Sequence, residues 1–253
     1  MLVFISNNTA NIIPNPPQPP GSAVVIALEG SRAICAEIQS LVSRSSGGSG
    51  GGGFVRRTVD GVSNNRVALI LAVLTKRLGL SFSSREVFVN VAGGIKFDKR
   101  ATSGGRTQGG EDVATAVSLV SSLAGIPVRA DTCFVGEVGL SGEVRVVGGV
   151  EKRIKEAGRM GFSRVVVPSE YANGSHGGKR RRVGSEKSRR EVEVVECGNL
   201  LDCINAGLVR KLPKREDRRT KVKLANDDFD KNKLNVADLG LEGDEGEDEG
   251  EET

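Results

Sequence analysis

At 253 residues the chain has room for one domain of ordinary size plus flexible segments. Hydrophobic residues make up 38% and concentrate between 22 and 170, with no run approaching 18 uninterrupted apolar residues, which excludes a membrane-spanning helix. The net charge of +4 hides an asymmetry: residues 227–253 hold 12 acidic residues against Lys231 and Lys233, a balance of −10, so residues 1–226 carry 34 basic and 20 acidic residues, or +14.

The opening MLVFISNNTANIIPNPPQPP has no Arg or Lys, which argues against a secretory signal and an amphipathic transit peptide. It reads as an unstructured leader over 1–20, or as a start that has lost upstream sequence. Ser22–Gly30 and Ala33–Val42 are apolar runs joined by Glu29-Gly30-Ser31-Arg32, the pattern of a hairpin. A glycine-serine loop follows at 45–53. Asn64 is the expected cap of a helix over Asn65–Leu78, with Val67, Ile70, Leu71, Leu74 and Leu78 on one stripe, Arg66, Lys76 and Arg77 off it facing solvent, and Gly79 as the stop. Glu86–Ala92 reads as a strand that Ile95–Asp98 extends or returns, and 102–110 as a glycine-rich loop.

A second helix is expected over Glu111–Ala124, its buried face formed by Val113, Ala116, Val117, Val120 and Leu123, with acidic residues at its positive start. Strands Thr132–Glu137 and Glu143–Val147 flank the turn Gly139–Gly142. A third helix, Val150–Met160, offers Glu151–Lys155 and Lys152–Glu156 pairs at four-residue spacing. Arg164–Val167 and Glu193–Val195 read as strands and Asn199–Ala206 as a short helix. The alternation of strands and helices gives an α/β (α+β) domain over 21–212, with flexible loops at 45–53 and 174–190 and a disordered basic-then-acidic tail at 213–253.

Cys35, Cys133, Cys197 and Cys203 show no paired Cys-x-x-Cys spacing, so a zinc ribbon is not expected, and Cys35 and Cys133 read as buried free thiols. A phosphate loop needs Gly-x4-Gly-Lys-Ser/Thr between a strand and a helix, because the backbone cradles phosphate and the hydroxyl binds magnesium. Gly177-Gly178-Lys179-Arg180 departs from that pattern, so nucleotide hydrolysis by this chain is rejected. His176, the single histidine, sits in a polar run and reads as solvated, not as a triad member. A basic body with an acidic tail suits a polyanionic partner with which the tail competes; solubilising surface is the alternative. Candidates for a DNA-facing rim are Arg56, Arg57, Arg66, Lys96, Lys99, Arg100, Lys152 and Arg153, with the dense cluster Lys179, Arg180, Arg181 and Arg182. With one Tyr and no Trp, base stacking has little support, so contact should be led by the backbone and indifferent to sequence.

The stretch Gly125–Pro168 resembles the Lon proteolytic domain: a Gly-Ile-Pro helix exit, then Gly136-Glu137-Val138-Gly139-Leu140-Ser141-Gly142-Glu143-Val144, then the helix start Gly148-Gly149-Val150-Glu151. Upstream, Gly21–Val42, Asn65–Leu80 and Val87–Ile95 resemble the bacterial RadA (Sms) repair family. The resemblance implies a Lon-like fold of mixed sheet and packed helices. It also implies a role in DNA repair and recombination as a scaffold of a hexameric ring. A full RadA carries a zinc ribbon and a RecA-like ATPase, so ATP, magnesium and zinc are expected only for such upstream domains, and no cofactor for these residues. The compartment stays open between organelle and nucleus, with no membrane partner.

Lon proteases use a Ser–Lys dyad, the Ser just before a helix start and the Lys with a lowered pKa to take its proton. Aligning the Gly-Ile-Pro exits puts Gly110 at the Ser position and Glu151 at the Lys position. Lys152 is one residue away, but Ser103 lies in a loop and Ser118 and Ser121 lie inside the helix, so no nucleophile replaces Gly110. The expectation is therefore a domain without protease activity. Its rivals are an ATP-dependent Lon-type serine peptidase and an assembly-only domain without DNA contact.

Overall fold

The computed structural model describes residues 19–45, 55–97, 107–169, 180–183 and 191–212. Lys99, Arg100, Ser103, His176, Lys179, residues 1–18 of the leader, most of the glycine-serine loop and the tail lie outside the described residues. Within them, β1 (Ser22–Glu29), β2 (Arg32–Arg44), β3 (Arg57–Asp60), β4 (Arg85–Val91), β5 (Thr107–Gln108), β6 (Thr132–Phe134), β9 (Arg164–Pro168), β10 (Arg180–Val183) and β11 (Val192–Cys197) form one mixed sheet. Its order is β10-β11-β9-β6-β1-β2-β4-β3, with β5 added at the end of β1. Strands β7 (Glu137–Val138) and β8 (Val144–Arg145) form a separate hairpin, and the helices are α1 (Asn64–Leu78), α2 (Asp112–Ala124), α3 (Val150–Met160) and α4 (Leu200–Gly207).

Strand β1 sits mid-sheet, antiparallel to β2 and parallel to β6, and both of its faces are buried. Successive side chains of a strand point to opposite faces, and here they feed two different cores. Ala23, Val25 and Ala27 join the cluster that includes α1, α2 and α4 residues, while Val24 and Ile26 join Val150, Ile154 and Ala157 of α3. The second face is covered only in part. On the β2–β4 wing, the register brings Leu41 opposite Phe88 and Gln39 opposite Asn90; Leu41 is 59% exposed and Asn90 is exposed.

Helix α1 places Val67, Ile70, Leu71, Val73, Leu74 and Leu78 in the core and ends at Gly79, whose φ of 69° lets its N–H reach Thr75 O while Leu80 N–H reaches Leu74 O. Its cap is Ser63, without a side-chain bond, and not Asn64. Helix α2 is buried from Asp112 to Ser121, far more than the single stripe expected, and Leu123 is only half-buried. Its polar residues bind the sheet: Ser40 Oγ lies 2.6 Å from Ser118 Oγ, and Ser121 and Ser122 hydroxyls accept from the N–H of Gly21 and Val42, each at 2.9 Å. Hydroxyls satisfied in this way let a serine-rich helix face enter the core without an unpaired polar group.

Three further expectations change. Ile95 and Lys96 are neither strand nor return but follow a short 3-10 turn, held by Phe97 N–H to Gly61 O at 2.7 Å. Arg180–Val183, inside the stretch read as a flexible loop, forms β10 against β11. Glu156 pairs with Arg159 at three-residue spacing, not with Lys152.

Candidate functional site

The chemistry implied by the Lon resemblance would sit where three segments meet: the turn before α2, the start of α3 and the end of β1. Gly110 has a φ of 114°, outside the range side-chain-bearing residues adopt readily. A Cβ there would lie 3.0 Å from Arg153 Nη1 and 3.3 Å from Val147 Cγ2. Glu151, at the other dyad position, is exposed in the first turn of α3 and so points away from that turn. Lys152 is exposed too.

The residue that reaches the Gly110 turn is Arg153. It is fully buried, and its guanidinium donates to Ile26 O at 2.7 Å, Gly109 O at 2.9 Å and Gly148 O at 3.1 Å. One side chain thereby ties β1, the α2 approach and the α3 approach together. Burial pulls its pKa down to about 10, with the nearby Glu111 carboxylate acting in the opposite sense, so it stays a cation at neutral pH. The reading of Arg153 as a DNA-facing rim residue is corrected: it stands between Val150 and Ala157 on the buried stripe of α3, and its charge serves main-chain carbonyls.

Arg66 is likewise placed by an internal partner. Its guanidinium forms a two-pronged pair with the buried carboxylate of Asp112, bonds Val138 O at 3.0 Å and lies 3.2 Å from Glu137 Oε1. Asp112 also accepts from Val138 N–H at 2.9 Å. The pair links α1, α2 and the β7–β8 hairpin, and the hydrogen bond to Asp112 raises the Arg66 pKa. Arg66 is half-buried, and its expected solvent-facing position is corrected too.

Neither alternative nucleophile within α2 is reachable. Ser118 and Ser121 are fully buried and donate to Thr115 O and Ile126 O at 2.9 and 2.6 Å. Among the described residues, no group of three or more His, Cys, Asp or Glu side chains could hold a metal ion, and no helix is long and apolar enough to cross a membrane. The four cysteines are free; Cys133, Cys197 and Cys203 are buried, whereas Cys35 is only half-buried, a correction to its reading as buried.

Of the other basic candidates, Arg56, Arg57 and Lys96 are exposed. Arg180, Arg181 and Arg182 lie along β10, their side chains outside the described residues. The sheet brings Arg56 and Arg57 to a corner with Arg44 and Arg85, two residues not singled out from the sequence because they are 41 positions apart and meet only through the β2–β4 register.

The profile of the Lon protease (S16) C-terminal proteolytic domain matches residues 81–209, half of the chain. The chain is 40% identical over 154 residues to the DNA repair protein RadA of Bacillus subtilis, covering 61% of this chain and 31% of that protein. It is 36% identical over 193 residues to the DNA repair protein RadA of Listeria monocytogenes, covering 76% and 36%. For the DNA repair protein RadA of Streptococcus pneumoniae the figures are 40% over 154 residues, 61% and 33%. The chain thus spans 31–36% of the length of these curated relatives.

Proposed function

The chain belongs to the family of Lon protease (S16) C-terminal proteolytic domains, and from that premise we propose that it is a non-catalytic member serving DNA repair and recombination as a ring-assembly and DNA-contacting module. The observation that carries the non-catalytic part is the replacement of the dyad. Gly110 supplies no nucleophile, Glu151 reverses the charge of the base, and the buried Arg153 guanidinium lies beside the turn where a Ser side chain would project. Acyl transfer needs an activated nucleophile within reach of its base, and this arrangement offers neither. The repair role is supported by similarity to RadA proteins, and DNA contact by the +14 body.

We expect no turnover of casein by the purified chain, with or without ATP; measurable turnover that survives repurification would restore the Lon-type peptidase reading. We expect binding to two unrelated duplexes with equal, weak affinity that falls steeply with salt, and tighter binding once residues 227–253 are removed, because a tethered segment of charge −10 competes for the same basic surface. Fluorescence anisotropy at two salt concentrations measures this. One observation favours assembly without DNA contact: Arg66 and Arg153, two of the expected rim residues, are engaged inside the fold. Absence of binding at low salt by the tail-deleted chain would establish that second reading.

A further inference from the structure

We propose that Cys197 and Cys203 form a modification site: a reversible disulfide, made by a small-molecule disulfide oxidant such as oxidised glutathione, that fastens the segment on which the β7–β8 hairpin is docked. This goes beyond the DNA-repair reading and does not depend on it. Of the four cysteines, all free, these two share the core cluster on the α2 and α4 face of the sheet. Cys197 is the last residue of β11 and Cys203 lies in the first turn of α4, 3% and 0% exposed. Their thiols are neighbours, joined by a side-chain hydrogen bond. Cys35 and Cys133 belong to the core on the opposite face, on the strands either side of β1, opposite Ile26 and Val24. Two inter-strand spacings, roughly 9.5 Å, exceed the separation of about 7 Å between Cα atoms that a disulfide tolerates.

The residues between Cys197 and Cys203 carry the hairpin. Val144 N–H bonds Gly198 O at 3.2 Å, Leu200 N–H bonds Gly142 O at 2.9 Å, and Glu143 pairs with Asn199 in an isolated antiparallel bridge. Asn199 also caps α4, its Oδ1 accepting from Asp202 N–H at 2.9 Å. The same hairpin holds Val138 against Arg66 and Asp112. A cross-link between residues 197 and 203 closes a short loop and removes open conformations of this segment. Hairpin docking then tightens without any new contact.

Closed, the pair is inert. The hydrogen bond to Cys197, and then burial, hold the Cys203 thiol well above the usual thiol range, and the thiolate is the attacking species. Gly198 and Asn199 are exposed, so local opening at this turn is the route by which an oxidant enters. In the open form Cys197 Sγ, deprotonated, attacks one sulfur of oxidised glutathione and expels a glutathione thiolate, leaving a mixed disulfide. Cys203 Sγ then loses its proton and attacks the Cys197 sulfur, expelling the second thiolate. The two thiolates take up the two protons released. The cysteine sulfurs lose two electrons, and the glutathione disulfide gains them.

The test uses the full chain, reduced and then incubated with oxidised glutathione under native conditions. The tryptic peptide 191–210 holds both cysteines and neither of the others. Mapped without reduction, it should be lighter by two hydrogens and resist iodoacetamide, and dithiothreitol should restore both thiols. Hydrogen exchange at the amides of Val144 and Leu200 should slow about tenfold on oxidation, the loop constraint acting on the opened state. Cys203→Ala should stop at a glutathione adduct on Cys197 and leave that exchange at its reduced rate. Phenylarsine oxide, which bridges neighbouring thiols, should bind the reduced unmutated chain at this peptide and protect it from oxidation. Retention of both thiols after the Val144 and Leu200 amides have fully exchanged overturns the proposal, because the turn has opened and the pair has not joined. So does a stable glutathione adduct on Cys197 of the unmutated chain, or a disulfide that includes Cys35 or Cys133. A Cys197–Cys203 disulfide with unchanged exchange overturns the fastening.

Discussion

Arg66 and Arg153 lie around the start of α2, one against a buried carboxylate and the other against three main-chain carbonyls. Arg44, Arg56, Arg57 and Arg85 lie at the corner of the same sheet where β2 ends and β3 and β4 begin. The same side chain thus holds the fold together in one region and presents charge in the other. Burial separates the roles: an ion taken out of water must find partners that replace its hydration, so the interior arginines are fixed in place, whereas Arg44, Arg56 and Arg57 are exposed to solvent.

The largest effects should follow from emptying the interior. Arg153→Met removes the donor to Ile26, Gly109 and Gly148 and leaves buried carbonyls unmet, so we expect a loss of about 3–5 kcal/mol in denaturant unfolding. An effect under about 1 kcal/mol would mean that water or another side chain takes over those bonds. Asp112→Asn breaks the pair with Arg66 while keeping the shape, and should cost about 2–3 kcal/mol. Restoring the dyad by Gly110→Ser with Glu151→Lys should yield no peptidase activity and should lower stability by about 1–3 kcal/mol, because the serine would need a left-handed backbone and displacement of Arg153. At the corner exposure keeps the effect small: Arg57→Gln should change stability by no more than about 0.5 kcal/mol.

The smallest expected effect is a titration. Glu143, in the β7–β8 turn, has its pKa lowered from 4.5 to about 2, by its own backbone N–H first and then by Arg145. A depressed carboxylate stabilises fully above its unfolded value and loses that contribution as pH falls through the folded value, so the turn should hold at pH 5 and loosen only between about 4.5 and 2. An NMR midpoint for Glu143 near 4.5 would contradict this.

Much of the framework was legible because it is local. The β1–β2 hairpin pairs Glu29 with Arg32 as its short turn implies, and Gly79, Gly125 and Gly161 end helices where the glycines stand in sequence. Strand β3 was not legible: Arg-Thr-Val-Asp shows no clean alternation, and its pairing with β4 spans α1. The roles of Arg66 and Arg153 were available but masked by their charge. Arg66 is four residues before Ile70, and Arg153 lies three after Val150 and four before Ala157, positions of a buried stripe. Reading each arginine as solvated overrode that periodicity. The corner arginines required strand register, which no spacing within the sequence supplies.

A Lon-family domain whose dyad region is closed by Arg153 should hold no reactive nucleophile there. Incubation of the full chain with a fluorophosphonate, followed by intact-mass measurement and peptide mapping, tests this most directly. Unmodified protein is the expected result. A single stoichiometric adduct mapping to a serine between residues 103 and 121 would contradict it.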